Sequence, residues 1–120
     1  MRDGYIKIAC ATPDLKVADC EYNTGRIMEL IKEAEVKGVK IVCFPELSIT
    51  GYTCGDLFLQ EALLDSAKNE LLDIIEKTAN IDIVSIIGIP LEHGGKLYNC
   101  AVVVNKGNII GAIAKRNIPN

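Results

Sequence analysis

Glu46 stands directly behind a proline, at the carboxyl end of the run Lys40 to Phe44 (KIVCF), which has the length and apolar content of a buried strand. Carboxyl ends of strands are where open α/β sheets place ligands, and Pro45 restricts the backbone that carries the carboxylate. A carboxylate held partly out of water has its neutral form favoured. The expected pKa of Glu46 is therefore raised, toward the range in which it takes a proton from a thiol or water near pH 7. Lys115 is the second candidate. It follows Ile109 to Ala114, a run apolar on both side-chain parities, which predicts an ammonium at the mouth of a packed layer and in need of a counter-charge. Glu46 is one such partner, and a lysine beside a reacting carbonyl stabilises the oxyanion that develops when an amide is attacked. Taken singly, each residue also has an ordinary reading: a solvated loop carboxylate, and a strand-end lysine that serves solubility.

The thiols are the natural nucleophiles to set beside such a pair. Cys10, Cys20, Cys43, Cys54 and Cys100 form an odd, scattered set without a Cys-x-x-Cys pair, which fits neither a disulfide framework nor a zinc site. Cys10, Cys43 and Cys100 lie within apolar strand-like runs, where a free thiol behaves as a small buried hydrophobe. Cys20 opens a helix, and Cys54 alone lies in the loop near Glu46. A nucleophile must be aligned with its base and oxyanion donor as well as near them, so proximity in sequence does not qualify Cys54. His93 falls in a turn, Leu91 to Gly95, as a solvated imidazole, while Gly88 and Pro90 read as strand terminators. Asn99 is polar within an apolar run; if buried it must find hydrogen-bond partners, and it is a candidate brace for the loops around Glu46.

Positioning these residues requires a sheet. Tyr5 to Ala11 reads as a first strand. Asp19 then caps a helix with Ile27, Leu30, Ile31 and Ala34 on one face and Gly38 as its stop. After Lys40 to Phe44 and a loop from Pro45 to Gly55, Ala62 to Thr78 reads as a second helix with Leu63, Ala67, Leu71, Ile74 and Ile75 inward. Ile81 to Ile89 does not alternate, which predicts a strand covered on both faces, as in parallel sheets. Leu97 to Asn105 and Asn108 to Lys115 flank Lys106-Gly107, a hairpin-type turn, with Gly94-Gly95 as the turn before. The order is βαβαβ followed by an antiparallel meander.

At 120 residues the chain holds at most one domain. A mean hydropathy of +0.23 is high for so small a protein and predicts apolar surface in search of a neighbour. A net charge of −3 argues against nucleic-acid or anionic-membrane partners and for a small-molecule one. Neither a signal-peptide pattern nor an apolar stretch of roughly 18 residues is present, so the expected location is cytoplasmic.

The run Phe44 to Tyr52, taken with Gly111-x-x-x-Lys115-x-x-Ile118-Pro119-Asn120, resembles the nitrilase, or carbon-nitrogen hydrolase, superfamily, and the match spans the chain. The resemblance implies an αββα sandwich of which these residues are the N-terminal portion. Glu46 then matches the family's general base and Lys115 its oxyanion-stabilising lysine. Within that family, Thr50 to Phe58, with Gly55-Asp56-Leu57 after Thr50-Gly51-Tyr52, is similar to the glutaminase domain of glutamine-dependent NAD synthetases. That likeness implies that Tyr52 lines a glutamine pocket and that the glutamine amide is hydrolysed through a glutamyl thioester. It also implies that the ammonia passes to a synthetase domain, not contained in these residues, which uses ATP and magnesium to amidate nicotinate adenine dinucleotide. No cofactor is implied for the hydrolysis itself. The family's nucleophilic cysteine lies well downstream of its lysine, so residues 1–120 are expected to carry base and lysine without nucleophile, and to be inactive alone. The expected truncation also predicts a sheet bare on one face and a homo-oligomer formed through it. Two other readings stay open: part of a stand-alone amidase or nitrilase, and a small α/β binding module, the latter lacking a glycine-rich phosphate loop at Thr12-Pro13-Asp14.

Overall fold

The first helix begins and ends where its sequence supplies a cap and a stop. A computed structural model describes residues 4–115, and Ile118-Pro119-Asn120 of the second motif lie outside them. The Asp19 carboxylate accepts a hydrogen bond from the Tyr22 N–H at 3.1 Å, satisfying one of the free donors at the start of α1 (Cys20–Val36). Gly38, at φ 75°, takes the left-handed conformation that ends it. The second helix, α2 (Glu61–Lys77), follows a short 3₁₀ turn at Gly55–Leu59, which starts at the end of the loop expected from Pro45 to Gly55. Ile27, Ile31 and Ala34 of α1, and Leu63, Ala67, Leu71 and Ile74 of α2, are buried in one core. Each isoleucine contributes about 1.5–3 kcal/mol by leaving water.

The strands β1 (Ile8–Cys10), β2 (Ile41–Cys43), β3 (Val84–His93), β4 (Lys96–Asn105) and β5 (Asn108–Ala114) form one sheet in chain order. The first two pairings are parallel and the last two antiparallel. Two successive crossovers moving the same way along a sheet put both helices on the same face, because such connections are right-handed. Accordingly Val42, Ser85, Ile87, Ile89, Cys100, Val102 and Val104 are buried beneath the helices. The opposite parity, with Ile8, Cys10, Cys43, Ile86, Val103 and Ile113, forms a second face on which no helix packs among the described residues.

That second face corrects three expectations. Val84 and Ile86 of β3 are only half-buried, so this strand is not covered on both faces along its length. Cys10 and Cys43 are exposed because they point to the open face, whereas Cys100 is buried as expected. The edge strand β5 has no packed layer around it; Ile109, Ile110 and Ile113 are all exposed. Gly88 and Pro90, expected to end β3, lie inside it, and the strand runs on to His93. The Lys106-Gly107 turn has the positive φ values, 47° and 82°, of the tight hairpin expected there. Among the described residues no helix is long and apolar enough to cross a membrane.

Candidate active site

The loop that carries Glu46 leaves β2 and folds across β3, strapped there by backbone bonds. The Phe44 N–H donates to the Ile86 carbonyl at 2.9 Å and the Ile49 N–H to the Gly88 carbonyl at 3.2 Å. Between them the Ser48 hydroxyl accepts from the Gly88 N–H at 3.2 Å. Close approach is possible because position 88 has no side chain. A Cβ there would fall 2.3 Å from the Leu47 nitrogen and 2.6 Å from the Pro45 oxygen. Leu47 itself is held at φ 52°, a conformation uncommon for a residue with a side chain, with its carbonyl accepting the Gly51 N–H at 2.7 Å.

The far end of the loop is fixed from α1. Asn23, fully buried, donates its amide to the carbonyls of Ile49, at 2.9 Å, and Lys16, at 2.8 Å, and accepts the Lys16 N–H at 2.7 Å. Asn23→Ala strands these groups without partners, and a loss of about 2–3 kcal/mol in urea-unfolding stability is the expected result.

Lys115 arrives from the edge of the sheet. Its ammonium donates to Glu46 Oε1 at 3.0 Å, joining residues 69 positions apart in the chain. Asn99 of β4 completes the arrangement: its amide donates to Glu46 Oε2 at 3.3 Å, and its backbone carbonyl accepts the Lys115 N–H at 2.8 Å. The hydrogen bond from Lys115 holds the Glu46 carboxyl below the ordinary carboxylate range; partial burial opposes this, and Asn99 and the Lys115 charge reinforce it. The expected upward shift of Glu46 is thus reversed. Burial was the correct opposing effect, but it is outweighed at a side chain that remains 48% exposed and has two donors.

Two cavities meet at this point. One of about 530 Å³ is walled by Tyr52, Phe58, Leu97 and Tyr98, with Asn99 and Lys115 at its polar end. The other, of about 330 Å³, lies over the open sheet face and is bounded by Glu46, Cys43, Ile86 and Ala101, again with Asn99 and Lys115. Tyr52 therefore shares a cavity with Lys115 while its ring stays largely exposed. Cys54 borders neither cavity: it is buried, and its thiol donates to the Thr50 carbonyl at 3.1 Å. His93 is exposed as expected, but it is the last residue of β3 rather than part of a turn, which is confined to Gly94-Gly95. Among the described residues no group of three or more His, Cys, Asp or Glu side chains is placed to hold a metal ion.

The sequence reading missed Asn23, Ser48 and Gly88. A glycine inside an apolar strand signals a close backbone approach, and that signal was available for Gly88. Asn23, a polar residue in the first turn of a helix, gives no such sign.

The order of elements and the single sheet are those of a known class. Residues 7–119 match the carbon-nitrogen hydrolase family, and the chain belongs to it. Within that class it is similar to the glutamine-dependent NAD(+) synthetase of Mycobacterium tuberculosis, at 31% identity over 97% of this chain and 17% of the relative. The crystal structure of a glutamine-dependent NAD(+) synthetase from Cytophaga hutchinsonii superposes with a TM-score of 0.90 at 36% identity, over 96% of this chain and 20% of that one. An amidase from Nesterenkonia, at 19% identity and a TM-score of 0.80 over all of this chain and 46% of its own, shares the fold. The chain spans about a fifth of the length of the curated synthetases it matches.

Proposed function

We propose that this chain supplies the base and the lysine of a glutamine-hydrolysing site that feeds ammonia to NAD synthesis. The reading is carried by one observation: Lys115 and Glu46 meet at 3.0 Å where two cavities join, in a chain whose whole length is similar to glutamine-dependent NAD(+) synthetases. Glu46, ionised at neutral pH, takes the proton of a cysteine thiol. The thiolate forms a bond to the amide carbon of the glutamine side chain, and Lys115 stabilises the oxyanion. Glu46 returns the proton to the departing nitrogen, which leaves as ammonia. It then takes a proton from the water that attacks the thioester, and the thiol and glutamate are released. Tyr52 borders the cavity that holds the substrate.

In this proposal the thiol comes from outside residues 1–120 and approaches over the open sheet face, since α1 and α2 close the other. These residues are thus part of a nitrilase-type domain, inactive alone. The hydrolysis uses no cofactor; ATP and magnesium serve the amidation of nicotinate adenine dinucleotide elsewhere in the complete protein. The test is ammonia release from glutamine by the product of the complete gene, with glutamine-driven NAD formation in the presence of ATP and magnesium. Absence of both in a folded protein contradicts the reading.

The same open face bears exposed Ile8 and Ile113, at 67% and 68%, and apolar area of that kind seeks cover. The 120-residue chain is accordingly expected to self-associate through it, and sedimentation as a monodisperse monomer at micromolar concentration is the opposing result.

A further inference from the structure

We propose that Asn99 is a positioning residue that sets the orientation of the Glu46 carboxylate relative to Lys115. The inference rests on the reading of Glu46 as the base and extends it to a residue outside the pair. A carboxylate only accepts hydrogen bonds, so the Asn99 amide must present its nitrogen to Glu46, at 3.3 Å from Oε2. With Lys115 on Oε1 at 3.0 Å, each carboxylate oxygen has its own donor, and rotation of the carboxylate plane is opposed from both sides. The same residue fixes the other partner, because its backbone carbonyl accepts the Lys115 N–H at 2.8 Å. Asn99 is half-buried in β4, where Pro90 of β3 is its cross-strand neighbour, so its backbone is anchored by the sheet rather than by a loop. It also borders both cavities, at the point where a proton would pass between a group over the open face and a substrate beside Tyr52. Removing the amide leaves Oε2 free to swing toward the ammonium, which misplaces the base without removing it.

The test uses the complete gene product, with Asn99→Ala and the isosteric Asn99→Asp, which keeps the backbone bond to Lys115. The Glu46 carboxyl is followed by NMR as pH is lowered, and glutamine hydrolysis is measured across pH. In both variants the Glu46 titration and the acidic limb of kcat are expected to move to higher pH, further for Asn99→Asp because it adds a like charge. A loss in kcat of roughly tenfold with KM little changed accompanies this. An unchanged Glu46 titration in Asn99→Asp overturns the proposal, as does a raised KM with an unchanged pH profile, which marks Asn99 as a substrate contact. If the unaltered protein releases no ammonia from glutamine, the functional reading fails, while the Glu46 titration still decides the role of Asn99.

Discussion

Gly88→Ala is expected to destabilise the protein by about 3 kcal/mol or more and to abolish ammonia release from the complete gene product. The added methyl would meet the Leu47 nitrogen at 2.3 Å, the Pro45 oxygen at 2.6 Å and the Glu46 carbonyl carbon at 2.8 Å. All three are backbone atoms, so no side chain can rotate away. The two backbones are also tied together, by Phe44 to Ile86, Ile49 to Gly88 and the Ser48 hydroxyl, and they cannot separate without losing those bonds. Any relief therefore lifts the loop that carries Glu46 and breaks its 3.0 Å contact with Lys115. Equilibrium unfolding in urea measures the first effect and the ammonia assay the second. Stability within roughly 0.5 kcal/mol of the parent would show that the loop accommodates a side chain there, contrary to this packing.

Glu46→Gln in the complete protein is expected to lower kcat for glutamine hydrolysis by roughly 10²- to 10⁴-fold, the range attributed to a positioned general base. The substitution keeps the shape and an acceptor for Lys115, so stability and glutamine binding change little beside the loss of turnover. Lys115→Met removes the proposed oxyanion partner instead, and a loss of roughly 10²- to 10³-fold is expected. The pH dependence follows from the direction of the Glu46 shift. Its carboxyl sits below the ordinary range through the Lys115 hydrogen bond, so the proposed base remains ionised at neutral pH and activity is expected to disappear as pH falls through that lowered pKa. The pair's contribution to folding follows the same sign, present above the pKa of the unfolded chain and lost as pH falls through the folded one. Both side chains are more than a third exposed, which keeps this contribution small.

The elements were legible because their signals are local. Asp19, Gly38 and the one-sided apolar spacing of α1 mark a helix whatever surrounds it, and Lys106-Gly107 marks a tight turn by its backbone needs alone. Glu46 and Lys115 were legible as chemical types at strand ends. Their meeting depends on the order of five strands and was expected only through the likeness of the two motifs. What local signals could not give was exposure. Cys43 and Val103 look like core residues in a run of apolar neighbours, yet they point to the face that the two helices do not cover. The pKa of Glu46 failed for a related reason: burial could be anticipated from the strand, but the two donors come from β4 and from the end of β5. Asn99 shows the opposite case, since a lone amide in an apolar strand predicts a partner and the partner is Glu46.

The proposed glutaminase site has its base and lysine within residues 1–120 and its thiol elsewhere. Ammonia release from glutamine, measured side by side on the 120-residue chain and on the complete gene product, tests it most directly. Release only by the complete protein, lost on Glu46→Gln, is the predicted result. Release by the 120-residue chain, abolished by Cys43→Ala or Cys54→Ala, would contradict it and place the nucleophile within these residues.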